Sequence, residues 1–437
     1  MAKKTTGRLI VPEPVVQELQ SILSDSQQRH LNKYLWVVHK VLEQQAFKRR
    51  YIEHKHNGFA PIHSQLISAA VTANFYHEVM TILKNSGILL CDEHYVPAYM
   101  DPDNAESKGY KIGSKYMESI LVALPVDKGI AKRVQKSKHG SAYVPKLNHE
   151  KHLRKHYDSF YVDTEVYSYI EEKYWRGDKE LQNIDDAASL AYLTDLRLIE
   201  SVNNSETFFI RDGKTRRIFH ELNLMRREYR AFWRHRSGER LVELDLRNSQ
   251  PLILCTLFPE YFRAEWPEDV VKYKKLCEQG LLYNHLLELG GYSTDDETRN
   301  HFKETLFAEV FYCPDPKKCR KPEHKARYYT QVTQLFEKVF PNVYKLICDY
   351  KPKNDYAKLP ITMMQREANL IIDTTCNRLM LENNGKVNML TIHDSIVTTE
   401  PFAKIVGAAI LESFANKYSI YPALKAQYLD NGQPFEL

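Results

Sequence analysis

Two stretches of the chain have the apolar pattern of buried strands, and each of them leads into an aspartate. Residues 241–244 are mostly apolar and deliver Asp245 to the end of a predicted strand. Residues 387–392 and 396–399 are mostly apolar and β-branched, and they flank the polar tripeptide His-Asp-Ser. Such a pattern predicts two strands joined by a tight turn, with Asp394 at its tip. A carboxylate held rigidly at a strand end is well placed to bind a metal ion.

Helical spacing of apolar residues prevails in the N-terminal half of the chain. Residues 1–57 are predicted to be a helical segment because apolar side chains recur there every three or four positions. Residues 117–209 combine a basic linker with a further helical region. From Lys132 to Lys155 the only acid is Glu150, a composition that fits either nucleic-acid contact or a solvated surface.

Residues 58–116 have the pattern of a small unit in which two helices precede a β-hairpin. A helix capped by Ser64 and a second helix over residues 75–84 precede a β-hairpin formed by residues 88–90 and 110–112. Helices followed by such a hairpin resemble a winged helix. Winged helices commonly bind duplex nucleic acid, and they also serve as protein-docking modules.

Two further stretches combine cations with aromatic residues. Arg299, Lys303, Phe307 and Phe311 are four residues apart, so a helix would place them on one face. The cations could meet a triphosphate and the aromatics a base and sugar, or the helix could be an ordinary amphipathic one. Residues 215–232 are dense in arginine and aromatic side chains, which suit phosphates and bases or a surface helix with ion pairs.

Composition limits the other classes of protein. No apolar run approaches the roughly 20 residues that span a bilayer, and no signal peptide is recognised, so no membrane partner is expected. The seven cysteines are scattered and odd in number, which predicts reduced thiols and a cytoplasmic protein. Cys313, Cys319 and His324 lack the fourth ligand and the C-x-x-C spacing of a zinc knuckle.

Taken in order, these elements resemble the palm and fingers of family A DNA polymerases and the related single-subunit RNA polymerases over residues 210–437. The order is an arginine-rich entry, the strand with Asp245, the cation–aromatic helix, a helix with Gln365, and the His-Asp hairpin. The resemblance implies an α+β fold: a right-hand polymerase with an antiparallel palm sheet, preceded by a mostly helical region with the winged-helix-like unit. Residues 117–209 would then include a thumb-like region.

The resemblance also implies roles for individual residues at the reaction centre. Asp245 and Asp394 would bind two Mg²⁺ ions, with Mn²⁺ able to substitute. Arg299 and Lys303 would hold the incoming triphosphate, and Lys303 would offset charge on the departing pyrophosphate. The aromatic contacts to the nucleotide and the templating base would come from Phe307, Phe311 and Tyr312. Contacts to the nucleic acid would come from Arg216, Arg217, Arg230, Gln365 and His393.

Three departures from the family pattern concern the choice of sugar. After the first aspartate the DNA polymerases have Tyr-Ser-Gln-x-Glu, whereas here Gln250 occupies the count of the glutamate that blocks a ribose 2′-hydroxyl. The hairpin reads His-Asp-Ser, as in the RNA polymerases. Phe311 cannot hydrogen-bond a 2′-hydroxyl, although Tyr312 could restore that contact if the helix were slightly rotated. The choice between dNTPs and NTPs stays open, with dNTPs favoured.

The leading hypothesis is therefore a template-directed, Mg²⁺-dependent DNA polymerase acting on a DNA template and primer. Residues 163–178 imitate an exonuclease motif, but the spacing is too short for a proofreading domain. By analogy, such a compact enzyme would replicate a phage, plasmid or other mobile element, with replication proteins as partners. The alternatives are an RNA polymerase or primase on the same palm, and a non-catalytic DNA-binding initiator.

Overall fold

A computed structural model describes the chain except for residues 1–7, 48, 97–105, 131–132, 134–143, 175–186, 204–207, 264, 315–328 and 352–354. Helices and strands are mixed, and they group into two units that interleave along the chain. The first unit comprises Met1–Tyr143, Tyr161–Phe208 and His220–Trp233. The second comprises Val144–Phe160, Phe209–Phe219 and Arg234–Leu437. The four domains expected from the sequence remain predictions.

Short strands occur in both units. They are β1 (Arg8–Pro12), β2 (Ala60–Pro61), β3 (Leu89–Cys91), β4 (Gly109–Ile112), β5 (Leu121–Pro125), β6 (Phe160–Val162), β7 (Phe209–Arg211), β8 (Ile218–His220), β9 (Trp233–His235), β10 (Leu241–Leu246), β11 (Met389–Ile392), β12 (Ser395–Thr399) and β13 (Leu424–Tyr428).

Helices make up most of the remaining described chain. The α-helices are α1 (Glu13–Ile22), α2 (Asp25–Gln28), α3 (Leu31–Phe47), α4 (Arg49–His56), α5 (Ser64–Val71), α6 (Ala73–Asn85), α7 (Asn148–Tyr157), α8 (Glu165–Tyr174), α9 (Ala187–Asn203), α10 (Glu221–Leu224), α11 (Ser249–Leu254), α12 (Phe258–Phe262), α13 (Glu268–Glu278), α14 (Leu282–Gly290), α15 (Asp296–Leu306), α16 (Gln331–Val339), α17 (Pro341–Asp349), α18 (Lys358–Ala368), α19 (Asn377–Glu382) and α20 (Ala403–Tyr418). Short 3₁₀ segments lie at Ser114–Tyr116, Arg227–Phe232, Cys255–Leu257 and Glu400–Phe402, and π-helical segments at Phe307–Phe311 and Asn369–Cys376. No described helix is long and apolar enough to cross a membrane.

In the first unit, two small antiparallel sheets pack against α3. One sheet pairs β1 with β5, and the other has the order β2-β4-β3. Helices α5 and α6 lie between β2 and β3 in the chain and pack on each other. The predicted cap of α5 is wrong by one residue, because the His63 ring, and not Ser64, accepts a hydrogen bond from Gln65 N at 3.2 Å.

The second unit contains a four-stranded antiparallel sheet in the order β11-β12-β10-β13. The spacing of apolar residues predicts a helix over residues 403–418, and α20 has these bounds. It packs on β10 and β12, and nearly every residue of those strands is buried. Gly407 allows this close approach, since a Cβ at that position would lie 3.3 Å from Leu244 Cδ2. The sheet thus has one face covered by a helix, while its strand ends carry the two predicted aspartates.

Candidate active site

The two aspartates lie on neighbouring parts of this sheet. In the antiparallel pairing of β10 with β12, Asp245 is the partner of Ser395. Ser395 directly follows Asp394 in the chain, and paired antiparallel residues have Cα atoms about 4.5–5.5 Å apart. Both aspartates are half-buried. The strand register therefore brings the backbones of Asp245 and Asp394, which are far apart in sequence, close to each other at one end of the sheet.

The turn that carries Asp394 is short and conformationally restricted. Ile392 pairs with Ser395, so His393 and Asp394 alone form the turn between β11 and β12. His393 has a φ of 55°, in the left-handed region that residues with a side chain rarely adopt. Its ring packs edge-on against Phe219, with the ring centroids 5.9 Å apart. A two-residue turn packed in this way leaves Asp394 little freedom to reorient.

The ligand chemistry of the pair fits a magnesium ion. Proteins bind Mg²⁺ through oxygen atoms, typically one or two carboxylates completed by substrate phosphates and water. Asp245 and Asp394 supply two carboxylates at one place. Within the described part of the chain, no group of three or more His, Cys, Asp or Glu could hold a metal ion. The donor set therefore fits Mg²⁺ or Mn²⁺ shared with a phosphorylated substrate.

A third carboxylate, that of Glu367, lies fully buried beside the pair. Arg217 donates two hydrogen bonds to it, from Nε to Oε1 and from Nη2 to Oε2, each 2.8 Å long. Gln250 Nε2 donates to Oε2 of the same carboxylate at 2.6 Å. Burial and the charge of Asp394 raise the pKa of Glu367 to about 7, against the opposing effect of Arg217 and Gln250. Because Asp394 acts on Glu367, this network and the aspartate pair belong to one site.

Tyr312 reaches the network because the helix geometry changes after α15. Phe307–Phe311 form a π-helix, in which Tyr312 N donates to Phe307 O at 2.8 Å. The Tyr312 ring stacks on Phe307 with centroids 5.4 Å apart and an interplanar angle of 21°. Its hydroxyl lies 3.4 Å from Gln250 Oε1. Burial raises the pKa of Tyr312 to about 12, and the charges of Glu367 and Asp394 also raise it.

Phe311 lies next to Phe307, as the four-residue spacing predicts, with the ring centroids 5.5 Å apart. Phe311 is fully buried, and its ring also packs against Phe336 at 6.2 Å between centroids. Its contact with a nucleotide stays a prediction. The aromatic residue that contacts Gln250 is Tyr312.

The two cations of α15 differ in their surroundings. Arg299 Nε donates to Asn284 Oδ1 at 3.1 Å, and its guanidinium lies 5.7 Å from the centroid of the Tyr283 ring. Burial raises the pKa of Tyr283, while the charge of Arg299 lowers it and that of Asp394 raises it. The charges of Arg299 and Asp394 therefore both act on the buried hydroxyl of Tyr283. Lys303 is exposed, with Nζ 6.0 Å from the Phe307 ring centroid.

The other residues predicted to contact nucleic acid lie in different surroundings. Arg216 is exposed in the β7–β8 turn and has a φ of 62°. Arg217 donates to the carboxylate of Glu367, whereas the sequence predicted a contact with nucleic acid. Gln365 Nε2 donates to the carbonyl oxygen of Lys214 in the same turn at 2.8 Å. Arg230 belongs to the first unit, where its guanidinium lies 5.9 Å from the Trp233 ring centroid.

A second arginine fork lies on the same hairpin. Arg211 donates from Nη1 and Nη2 to the two carboxylate oxygens of Asp373 at 2.7 Å each, and from Nη1 to Glu150 at 2.8 Å. His149 Nε2 lies 3.1 Å from Asp373 Oδ1. Burial would raise the pKa of Asp373, but the hydrogen bonds from His149 and Arg211 outweigh it and hold that pKa well below its usual range.

The turn between β10 and α11 carries buried polar atoms. Asn248 has a φ of 52° and, like Ser249, is buried. Among the described residues, neither amide atom of Asn248 nor the Ser249 hydroxyl has a hydrogen-bond partner. Such atoms cost about 1–3 kcal/mol each when unsatisfied. Their place in the chain, between Asp245 and Gln250, fits a site that takes a polar ligand.

Glu367 is the main site residue that the sequence interpretation missed. Its signal is an acid on a buried helical stripe, since Leu359, Met363 and Leu370 share its three- and four-residue spacing. A charge at such a position needs a buried partner. The identity of that partner has no sequence signal.

The possible zinc ligands are only partly described. Cys313 Sγ donates to Glu309 O at 2.8 Å, and Cys319 and His324 lie outside the described residues.

Comparison with known proteins adds distant structural similarity. No family model matches the sequence, and no curated protein matches it. Among solved structures, the chain is similar to the POL domain of Pol1 from M. smegmatis in complex with a DNA primer-template and dNTP. The identity is 11%, over 70% of this chain and 73% of that chain, with a TM-score of 0.46. Similarity at this level does not establish function, which must come from the residues of the site.

Proposed function

We propose that this chain is a template-directed nucleotidyltransferase, a Mg²⁺-dependent DNA polymerase that extends a primer with dNTPs. The observation that carries this proposal is the pairing of Asp245 with Ser395, which puts Asp245 beside Asp394. The action of Arg299 and Asp394 on one buried hydroxyl supports a cationic helix next to that pair. Carboxylates beside cations are the arrangement that binds a metal-bound triphosphate.

The chemistry follows from positioning and charge. Asp245 and Asp394 would hold Mg²⁺ ions, which activate an attacking hydroxyl and stabilise a leaving pyrophosphate. Arg299 and Lys303 would bind the triphosphate, and Lys303 would neutralise charge as the pyrophosphate departs. Phe307 would then pack against the nucleotide. Little covalent work remains for the protein, because in-line phosphoryl transfer depends mainly on these placements.

The remaining predicted contacts belong to the same proposal. Arg216 is exposed and free of an ion pair to Glu367, so it is the better candidate for a phosphate contact than Arg217. His393, at the tip beside Asp394, would contact the primer end. The enzyme would lack proofreading and would serve the replication of a phage, plasmid or other mobile element.

We also propose that α5, α6 and the sheet β2-β4-β3 form a winged helix that binds duplex DNA. The exposed face of α6 carries Asn74, His77, Thr81 and Lys84, which are residue types that contact base edges and phosphates. The one acid of α6, Glu78, instead accepts hydrogen bonds from Gln27 and Tyr34 at 2.9 Å each. The face thus carries no exposed carboxylate of its own helix, and Lys84 Nζ donates to the neighbouring Glu93 at 2.7 Å. Asn74, His77 and Thr81 are the uncharged part of this face that would approach a polyanion.

The central test is primer extension with labelled dNTPs and, in parallel, NTPs on a single-stranded DNA template. Asp245→Asn and Asp394→Asn are each expected to lower dNTP addition by about 100-fold or more, because the ligands for the ions are lost. Asp430→Asn is the matched control, since Asp430 forms an exposed fork with Arg240 in the same unit. DNA affinity is expected to stay near the unmodified level in all three variants.

Two outcomes would replace this proposal. Incorporation of NTPs in place of dNTPs would assign the chain to RNA polymerases or primases. DNA binding without extension in Mg²⁺ or Mn²⁺ would instead favour a non-catalytic initiator. Turnover retained in either aspartate variant would remove the metal assignment itself.

A further inference from the structure

Four side chains in the second unit form a continuous chain of hydrogen bonds. Arg217 donates two hydrogen bonds of 2.8 Å to the Glu367 carboxylate, and Gln250 Nε2 donates a third at 2.6 Å. At the other end of Gln250, Oε1 lies 3.4 Å from the Tyr312 hydroxyl. Gln250 occupies the position that governs sugar choice in the family that this protein resembles. The hydrogen bonds link it to the carboxylate of Glu367 on α18.

The chemistry of these groups decides the direction of every bond. An ionised carboxylate only accepts, and a guanidinium only donates. The NH₂ group of the Gln250 amide must therefore face Glu367, so that the amide oxygen of Gln250 faces Tyr312. The Tyr312 hydroxyl is the only donor in that contact, and it donates toward Gln250. Without Glu367 the amide could turn over, because its two ends are nearly equal in shape.

We propose that Glu367 is a positioning residue for sugar selection, which acts by holding the Gln250 carbonyl toward Tyr312. This inference rests on the proposed polymerase function. With its proton directed into the protein, the Tyr312 hydroxyl cannot donate to a ribose 2′-hydroxyl, the group that distinguishes NTPs from dNTPs. Tyr312 also stacks on Phe307, the predicted nucleotide contact, so the held hydroxyl is beside the proposed sugar site.

The test is the ratio of kcat/KM for a dNTP to that for the matching NTP, measured at about pH 8, above the Glu367 pKa of about 7. Glu367→Gln turns one acceptor into a donor and lets the Gln250 amide turn over. We expect the ratio to fall about tenfold, the effect of one hydrogen bond. The fall is expected in the NTP arm, through a lower KM for the NTP.

Asp373→Asn is the matched control for a purely structural effect. It weakens the other arginine fork of the same hairpin, between Arg211 and Asp373, which has no contact with Gln250 among the described hydrogen bonds. We expect the dNTP/NTP ratio of this variant to equal that of the unmodified chain. If the two variants shift the ratio equally, Glu367 is only structural and the inference is overturned.

A second variant keeps the inference testable if Glu367→Gln does not fold. Gln250→Leu leaves the Arg217–Glu367 fork in place but removes the carbonyl that accepts from Tyr312, so it is expected to lower the ratio in the same direction. Tyr312→Phe removes the donor itself, so adding it to either variant is expected to return the ratio to the unmodified value. An unchanged ratio in Gln250→Leu, or a lowered ratio that persists without the Tyr312 hydroxyl, would overturn the inference. An unmodified chain that extends no primer would instead refute the proposed function.

Discussion

Single cations of α15 differ in how firmly the protein holds them. Arg299 is fixed by Asn284 and lies near the Tyr283 ring, whereas Lys303 is exposed and only approaches Phe307. A flexible ammonium with few protein contacts can follow a charge that moves during the reaction. Under the proposed function, Lys303 would therefore act mainly in the transition state.

Lys303→Ala is expected to lower kcat and to raise KM for the dNTP, with kcat/KM falling about 100-fold. The physical reason is the loss of a positive charge where negative charge develops on the pyrophosphate. His301→Ala, an exposed position of the same helix, is the control and is expected to change neither constant. Steady-state primer extension measures both. A Lys303→Ala enzyme with a higher KM and unchanged kcat would show that Lys303 binds the ground state only.

At the scale of elements, the β7–β8 hairpin contacts α18 and the π-helical segment that follows it. Two of its three arginines form buried forks. Arg211 binds Asp373 on the π-helical segment, and Arg217 binds Glu367 on α18. Both forks are largely buried, so removing one partner leaves an uncompensated charge. The hairpin is thus attached to the candidate site at two points.

Asp373→Asn is expected to lower the free energy of unfolding by about 2–3 kcal/mol at neutral pH. Because the folded state holds the pKa of Asp373 below its ordinary value of 3.8, its stabilisation is present above about pH 4 and is lost as the pH falls further. Urea unfolding at about pH 7 and about pH 3 measures this difference. The variant is expected to lose less stability on acidification than the unmodified chain. Equal losses would contradict the assignment.

At the scale of the whole molecule, the two units carry different chemistry. The net charge of +5 is small for 61 basic and 56 acidic residues, so nucleic-acid binding would depend on local faces and not on total charge. Under the proposed function, these faces would be the exposed side of α6 in the first unit and the region of Asp245, Asp394 and α15 in the second.

His77→Glu and Thr81→Glu are each expected to weaken binding of the chain to a closed-ended DNA duplex by about tenfold. A closed duplex offers no primer terminus, so its binding reports on the face of α6 and not on the candidate active site. Gln17→Glu adds the same charge to the exposed side of α1 and is the control. Fluorescence anisotropy at fixed salt measures all three. Equal affinities would remove α6 from the DNA interface.

Much of the second unit could be predicted from local spacing. The strands β10, β11 and β12 and the turn at His393 agree with the period-two pattern, and α20 has the predicted bounds. Apolar spacing also predicts one long helix over residues 363–381. The structure divides this stretch into α18, a π-helical segment and α19. A π-helix adds one residue to a turn without changing composition, so apolar spacing does not reveal it.

The sequence by itself determined the strands β10, β11 and β12 and the carboxylates at their ends, because these depend on neighbours a few positions away. Only the tertiary structure decided which distant groups meet. Arg217 and Glu367 are 150 residues apart, and Gln250 and Glu367 are 117 residues apart. No local pattern encodes such partners, since a buried charge requires a partner of opposite charge or a hydrogen bond but does not specify where in the chain it lies. The rotation that places Tyr312, and not Phe311, against Gln250 likewise depends on how the helix packs.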